Sequence, residues 1–134
     1  MPGRYKSAQK PGRRADLLGD DMDTRKILVA LGVALAVAEI AHAPFDDTII
    51  PGLVYGVVVA GVSYWVWRSA GRASVVVLGL LALVEFLLVV FVYRTTSQPP
   101  HTWVLWMFGL LTAAVTIASA LCLLQRDARE TAQV

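Results

Sequence analysis

Two glutamates lie inside long apolar runs of this sequence, and they are the residues best placed to do chemistry. Glu85 lies near the middle of the run 73–93, and Glu39 lies near the end of the run 24–43. A carboxyl at bilayer depth is costly, because hydrocarbon disfavours the charged form. Such acids either hydrogen-bond to a neighbouring helix or carry a proton or cation. Both roles are open for the two glutamates, and a structural role is the interpretation we prefer.

Two threonines of a later apolar run are candidate partners for these acids. Counting along a helix from the ends of the runs puts Glu85 about 12 Å deep and Glu39 about 6 Å deep. Thr112 is ten residues into the run 102–124 and so falls near the depth of Glu85. We predict a Glu85–Thr112 hydrogen bond, with Thr116 one turn further along the same helix face.

Two histidines complete the set of residues with reactive side chains. His42 follows Glu39 by three residues, so the two share a helix face, and His101 precedes the fourth run. Together with Asp46 they could bind zinc or copper, and two histidines could ligate haem axially. Neither spacing matches a known motif, so we predict no metal and no cofactor. His42, His101 and Asp46 are the residues that would hold one.

The elements that must position these residues are four apolar runs. They cover residues 24–43, 49–67, 73–93 and 102–124, in a chain that is 57% hydrophobic and only 16% charged. About 20 residues of helix span the hydrocarbon layer of a bilayer, so each run predicts a membrane-crossing helix. Short loops predict antiparallel neighbours. The fold class is therefore an all-α integral membrane four-helix bundle.

The segments around the bundle predict its orientation. Residues 1–22 are first basic and then acidic and are predicted to be a disordered tail, residues 23–125 the membrane domain, and residues 126–134 a short tail. Eleven of the twelve Lys and Arg residues fall on the side that holds both termini, and Arg94 falls on the other. This bias predicts cytoplasmic termini. The composition suits a GC-rich bacterial genome, so we expect a multi-pass protein of the bacterial inner membrane.

Small residues at helical spacing predict the packing faces. The second run contains Gly52, Gly56 and Ala60 at intervals of four, and the first contains Gly32 and Ala36. Small side chains allow two helix backbones to approach closely in lipid. These faces are expected to point inward or toward a partner chain.

A faint internal similarity relates the first and third runs. The segment LVALGVALAVAE, which ends at Glu39, resembles VVVLGLLALVE, which ends at Glu85, when a slip of one residue is allowed. Each leads through a Pro-containing loop into another helix. Two hairpins related by an axis along the membrane normal would produce this pattern, and so would chance in apolar sequence.

Three functions fit these features. The one we prefer is a non-catalytic accessory or assembly subunit of a larger membrane complex. The alternatives are a proton-coupled small-solute transporter that acts as an oligomer and a redox subunit that uses the histidines. The sequence contains no nucleophile–base pair, phosphate loop or nucleic-acid-binding surface, so we predict neither an enzyme nor a nucleic-acid partner. The expected partners are the lipid bilayer and other membrane chains.

Overall fold

The chain forms four long helices. The computed structural model describes residues 12–45, 49–69, 71–95 and 102–134. The helices are α1 (Gly12–His42), α2 (Ile49–Arg68), α3 (Arg72–Thr95) and α4 (Thr102–Ala132), and a short 3-10 helix, Ala43–Phe45, follows α1. No strand occurs among the described residues.

Each of the four helices contains a segment that is long and apolar enough to cross a membrane. The segments are Met22–Phe45, Ile49–Arg68, Arg72–Val92 and Thr102–Ala132. The first three are 20 to 24 residues long, as a hydrocarbon layer requires, and the fourth, with 31 residues, is longer. The prediction of an all-helical fold with four helices long and apolar enough to cross a membrane is therefore confirmed for the described residues.

Two helices are longer than predicted. The helix α1 begins at Gly12, so residues 12–22, which we expected to be disordered, are helical. The helix α4 continues to Ala132, so most of the expected tail, 126–134, is helical as well. Extending an existing helix adds one hydrogen bond per residue without a new nucleus, and no proline interrupts either extension.

The helix α1 packs mainly against α2 and α4, and α3 packs mainly against α4 and α2. The interior between them is filled by apolar side chains from all four helices. The side chains with no exposed surface include Leu28, Leu35, Val59, Leu78 and Val115.

Glycines set the close approach of α1 and α2. A methyl group added to Gly56 would lie 2.7 Å from Ile40 Cγ1 and 3.1 Å from the Ala36 carbonyl oxygen. A methyl group on Gly52 would lie 3.2 Å from Ala43 Cβ. Side chains do not tolerate such distances, so only glycine allows this spacing at Gly56. The small residues predicted to pack thus lie at the α1–α2 contact, and Ala60 packs, half-buried, against the core.

The same kind of contact occurs in both halves of the chain. Gly32 of α1 lies against Ser63 of α2, and a methyl group there would overlap the serine hydroxyl. Gly79 of α3 lies against Ser119 of α4, where a methyl group would come within 2.9 Å of the serine Cβ. Gly32 and Gly79 are the aligned glycines of the two similar segments. The sequence similarity therefore coincides with equivalent packing positions.

The contact at Gly56 can be tested by enlarging one glycine at a time. We expect Gly56→Leu to lower the free energy of unfolding in detergent by about 3 kcal/mol, because the side chain overpacks the α1–α2 contact. Gly61→Leu is the matched control on the same helix, since nothing lies within 4 Å of a Cβ there. It should change the free energy by less than about 0.5 kcal/mol. Equal losses for both variants would contradict this packing.

Candidate functional site

Tyr55 of α2 connects the intramembrane acids. Its hydroxyl donates a hydrogen bond to the Leu81 carbonyl oxygen of α3, at 2.9 Å. The same hydroxyl lies within hydrogen-bonding reach of the Glu85 carboxyl, and Glu39 is close enough to interact with it electrostatically. Glu39 of α1 and Glu85 of α3 thus both interact with Tyr55, which belongs to α2.

The Glu85 carboxyl is the polar group with the least complete set of hydrogen bonds in this region. The side chain is half-buried, and its Oε2 atom is buried without a hydrogen-bond partner among the described residues. The Tyr55 hydroxyl, which donates to the Leu81 carbonyl oxygen, lies within hydrogen-bonding reach of this carboxyl.

Glu39 lies at the α1–α2 contact near the end of its helix. Its Cβ lies 3.2 Å from the position of a methyl group on Gly56. His42, one turn later, is half-buried and points its ring edge-on at Phe108 of α4, with 5.6 Å between ring centroids and 74° between the planes. The helix face that Glu39 and His42 share therefore contacts side chains of both α2 and α4.

The predicted Glu85–Thr112 hydrogen bond is not formed. The buried Thr112 hydroxyl donates to the Phe108 carbonyl oxygen of its own helix, at 2.7 Å. The Thr116 hydroxyl donates likewise to the Thr112 carbonyl oxygen, at 2.8 Å. A threonine in a helix can satisfy its hydroxyl on the carbonyl four residues back, so it does not need a partner on another helix.

A metal site is not assembled from the residues that the structure describes. No group of three His, Cys, Asp or Glu residues that could hold an ion occurs among them. His42 packs against the rings of Phe108 and Phe45. The other two residues named as possible ligands, His101 and Asp46, lie outside the described residues.

The opposite end of the bundle carries most of the described cations. The Arg25 guanidinium of α1 donates to the Trp67 carbonyl oxygen at the end of α2. At the start of α3, Arg72 forms ion pairs with two acids of α4, Asp127 and Glu130, the latter at 3.5 Å. These contacts bring the N-terminal part of α1, the short α2–α3 connection and the C-terminal part of α4 to one end.

The arginines at this end differ in the groups that they contact. Arg72 is paired with carboxylates. Arg25 is bonded to a neutral carbonyl, and Arg68 Nη1 to the neutral hydroxyl of Tyr64, at 3.4 Å. A carboxylate thus lies beside Arg72, and a neutral oxygen atom lies beside each of Arg25 and Arg68.

Sequence reasoning missed Tyr55 as the centre of the polar cluster. The available signal was an aromatic residue with a polar end inside an apolar run, because a buried tyrosine hydroxyl normally finds a partner. Tyr55 also lies three residues after Gly52 and four before Val59, on the inward side of α2. That spacing predicts an inward side chain but does not say which group it meets.

Comparisons with known proteins assign no function to this chain, so a functional assignment has to rest on the contacts described above. No protein-family model, no curated protein and no solved structure matches the chain.

Proposed function

We propose that this protein is a small, non-catalytic, multi-pass membrane subunit that packs beside a larger membrane complex and supports its assembly. The observation that carries the proposal is the bond from Tyr55 to Leu81, beside Glu85. It is a direct hydrogen bond between α2 and α3. The cluster is therefore best explained as a connection between helices.

The rest of the interior supports a structural role. The hydroxyls of Thr112 and Thr116 are bonded within α4. Apolar side chains without exposed surface, such as Leu35, Val59 and Leu78, fill the interior between the helices. A path for a polar solute needs polar groups along its length, because hydrocarbon offers no hydrogen bonds. The described interior favours a sealed bundle.

A partner subunit would have to use the outer faces of the bundle. The glycines of closest contact (Gly32, Gly52, Gly56 and Gly79) are used within the chain. The helix α3 presents a continuous outward face of large apolar residues at spacings of three and four: Leu80, Val84, Leu87, Leu88 and Phe91. Branched and aromatic side chains at this spacing form a ridge that can pack into a groove of a neighbouring helix. We propose this face as the contact with the partner.

Antiparallel neighbours and cytoplasmic termini are part of the proposal. Contacts between α1 and α2 run in opposite directions along the two helices, from Ala43 beside Gly52 to Arg25 at Trp67. The end that holds Arg25, Arg68 and Arg72 would face the cytoplasm, because positive residues are retained there. A bacterial inner membrane is the location that this arrangement and the composition favour.

Cysteine labelling tests the orientation. On a Cys122-free background, we expect a membrane-impermeant thiol reagent to label a cysteine at Ser97 in intact cells. Cysteines at Ser7 and Thr131 should react only after the cells are opened. External labelling at either terminal position would overturn the cytoplasmic assignment.

Substitutions at Glu85 test the structural role. Glu85→Gln keeps the shape and a hydrogen-bond donor, so the free energy of unfolding and the recovery of co-purifying membrane proteins should change little. Glu85→Ala should lower the free energy of unfolding by about 1 to 2 kcal/mol, because it removes the contact beside Tyr55 and leaves a cavity. The check is unfolding in mild detergent, together with gentle purification of tagged protein. Equal destabilisation by both substitutions would count against the proposed role.

A proton-coupled transporter is the second candidate, and one observation favours it. Tyr55 interacts with both Glu39, near the end of α1, and Glu85, deeper in the bundle, and acids inside a membrane often carry protons. The same Glu85→Gln variant separates the candidates. If vesicles with the native protein show pH-driven solute or proton flux that the folded Gln variant lacks, the transporter replaces the accessory subunit.

A further inference from the structure

We propose that the outward face of α2 is a binding site for one anionic phospholipid of the cytoplasmic leaflet. We define this face by Arg68, Tyr64, Gly61, Val57 and Val54, which follow one another at spacings of four and three and so lie on one side of the helix. The face carries a cation at its end, an aromatic residue next, and then a shallow apolar furrow. A phospholipid presents matching groups in the same order, from its charged headgroup to its apolar acyl chain.

The charged end of the face is available for a phosphate. Arg68 is exposed, and its guanidinium is held by the Tyr64 hydroxyl at 3.4 Å. A guanidinium has five N–H donors, so most of them stay free for an oxyanion. At the same end Arg25 is bonded to the Trp67 carbonyl, and the neighbouring Lys26 is exposed. Arg25, Lys26 and Arg68 thus lie at the same end of α1 and α2.

The neighbouring side of the same end provides a contrast within the molecule. Arg72 is paired with Asp127 and Glu130. Its charge is therefore already balanced, and a phosphate there would meet two carboxylates. Of these two arginines, Arg68, which is bonded to a neutral hydroxyl, is therefore the more favourable for a phosphate.

Below the cation, the face has the shape and depth that an acyl chain needs. Tyr64 and Val57 are 60% and 63% exposed, and between them Gly61 has nothing within 4 Å of the position of a Cβ. The furrow is the gap that Gly61 leaves between these two side chains, and the whole face from Arg68 to Val57 is about 16 Å long at the helical rise. This is close to the depth of one leaflet, about half of a hydrocarbon layer of about 30 Å. Exposed Trp65 and Trp67 mark the same depth as Tyr64, where aromatic residues prefer the interface.

The test is thermal unfolding of the full chain in detergent, with added dioleoyl phosphatidylglycerol or dioleoyl phosphatidylcholine. Phosphatidylglycerol should raise the midpoint temperature saturably and more than phosphatidylcholine does. Arg68→Gln should weaken the apparent affinity for phosphatidylglycerol about fivefold, the effect of removing one cation near an anionic lipid. Arg72→Gln is the matched control and should keep the native affinity, although it lowers the midpoint temperature itself. Gly61→Leu should fill the furrow and weaken binding without changing any charge.

A second readout does not depend on the thermal stability of the variants. In vesicles, brominated phosphatidylglycerol should quench tryptophan fluorescence of the native protein more than brominated phosphatidylcholine does at the same mole fraction. Arg68→Gln should reduce the difference, and Arg72→Gln should not.

Four results would overturn the proposal. The first is an equal shift of the midpoint temperature by the two lipids, and the second is an equal loss of affinity in Arg68→Gln and Arg72→Gln. The third is a stabilisation by soluble glycerol phosphate that equals the stabilisation by phosphatidylglycerol. The fourth is a change of oligomeric state in Gly61→Leu. The third would mean a site for the free anion, and the last would mean that a second copy of the chain covers the face.

Discussion

The lack of water in the hydrocarbon layer is the constraint on which this structure depends. A polar group at that depth must find its hydrogen-bond partner inside the protein. The threonines of α4 meet this requirement within their own helix, as Thr112 does at Phe108. Tyr55 cannot, because a phenol is too long and rigid to reach the carbonyl one turn back, and so it bonds across to Leu81 of α3. The need for a hydrogen-bond partner therefore leads Tyr55 to connect α2 to α3.

Close packing provides what the hydrophobic effect cannot provide between helices in lipid. Association there depends on van der Waals contact and a few hydrogen bonds. The α1–α2 contact at Gly56 and the Gly–Ser contacts at Gly32 and Gly79 supply that contact in both halves of the chain. The Tyr55–Leu81 bond then joins the two halves. A tightly packed bundle of this kind suits a subunit that offers its outer faces to lipid and to other chains.

The sequence was sufficient for the features that depend on length and composition. Four apolar runs of about 20 residues predict four membrane-crossing helices, since few other structures can hold such runs. The spacing of Gly52 and Gly56 likewise predicts a packing face, although it does not name the helix that packs there. The helical extension over residues 12–22 was missed because a polar, charged segment resembles a disordered one in composition.

The sequence alone could not predict which groups the polar side chains contact. Glu85 and Thr112 fall at similar depths, but a contact also depends on how each helix is rotated about its axis. In the structure Glu85 lies beside Tyr55, and Thr112 bonds within its own helix. Depth can be counted from a sequence, whereas rotation is set by the packing of all four helices together.

The interaction between Tyr55 and Glu85 can be measured directly by a double-mutant cycle. Tyr55→Phe removes only the hydroxyl, and Glu85→Leu removes the carboxyl while it keeps the volume. Reversible unfolding in mixed micelles gives the free energy of unfolding for each variant and for the pair. A coupling energy of about 0.5 to 2 kcal/mol, the range found for hydrogen bonds between membrane helices, is the expected result. Strictly additive losses would mean that the two side chains do not act together, and Glu85 would not be part of the connection between α2 and α3.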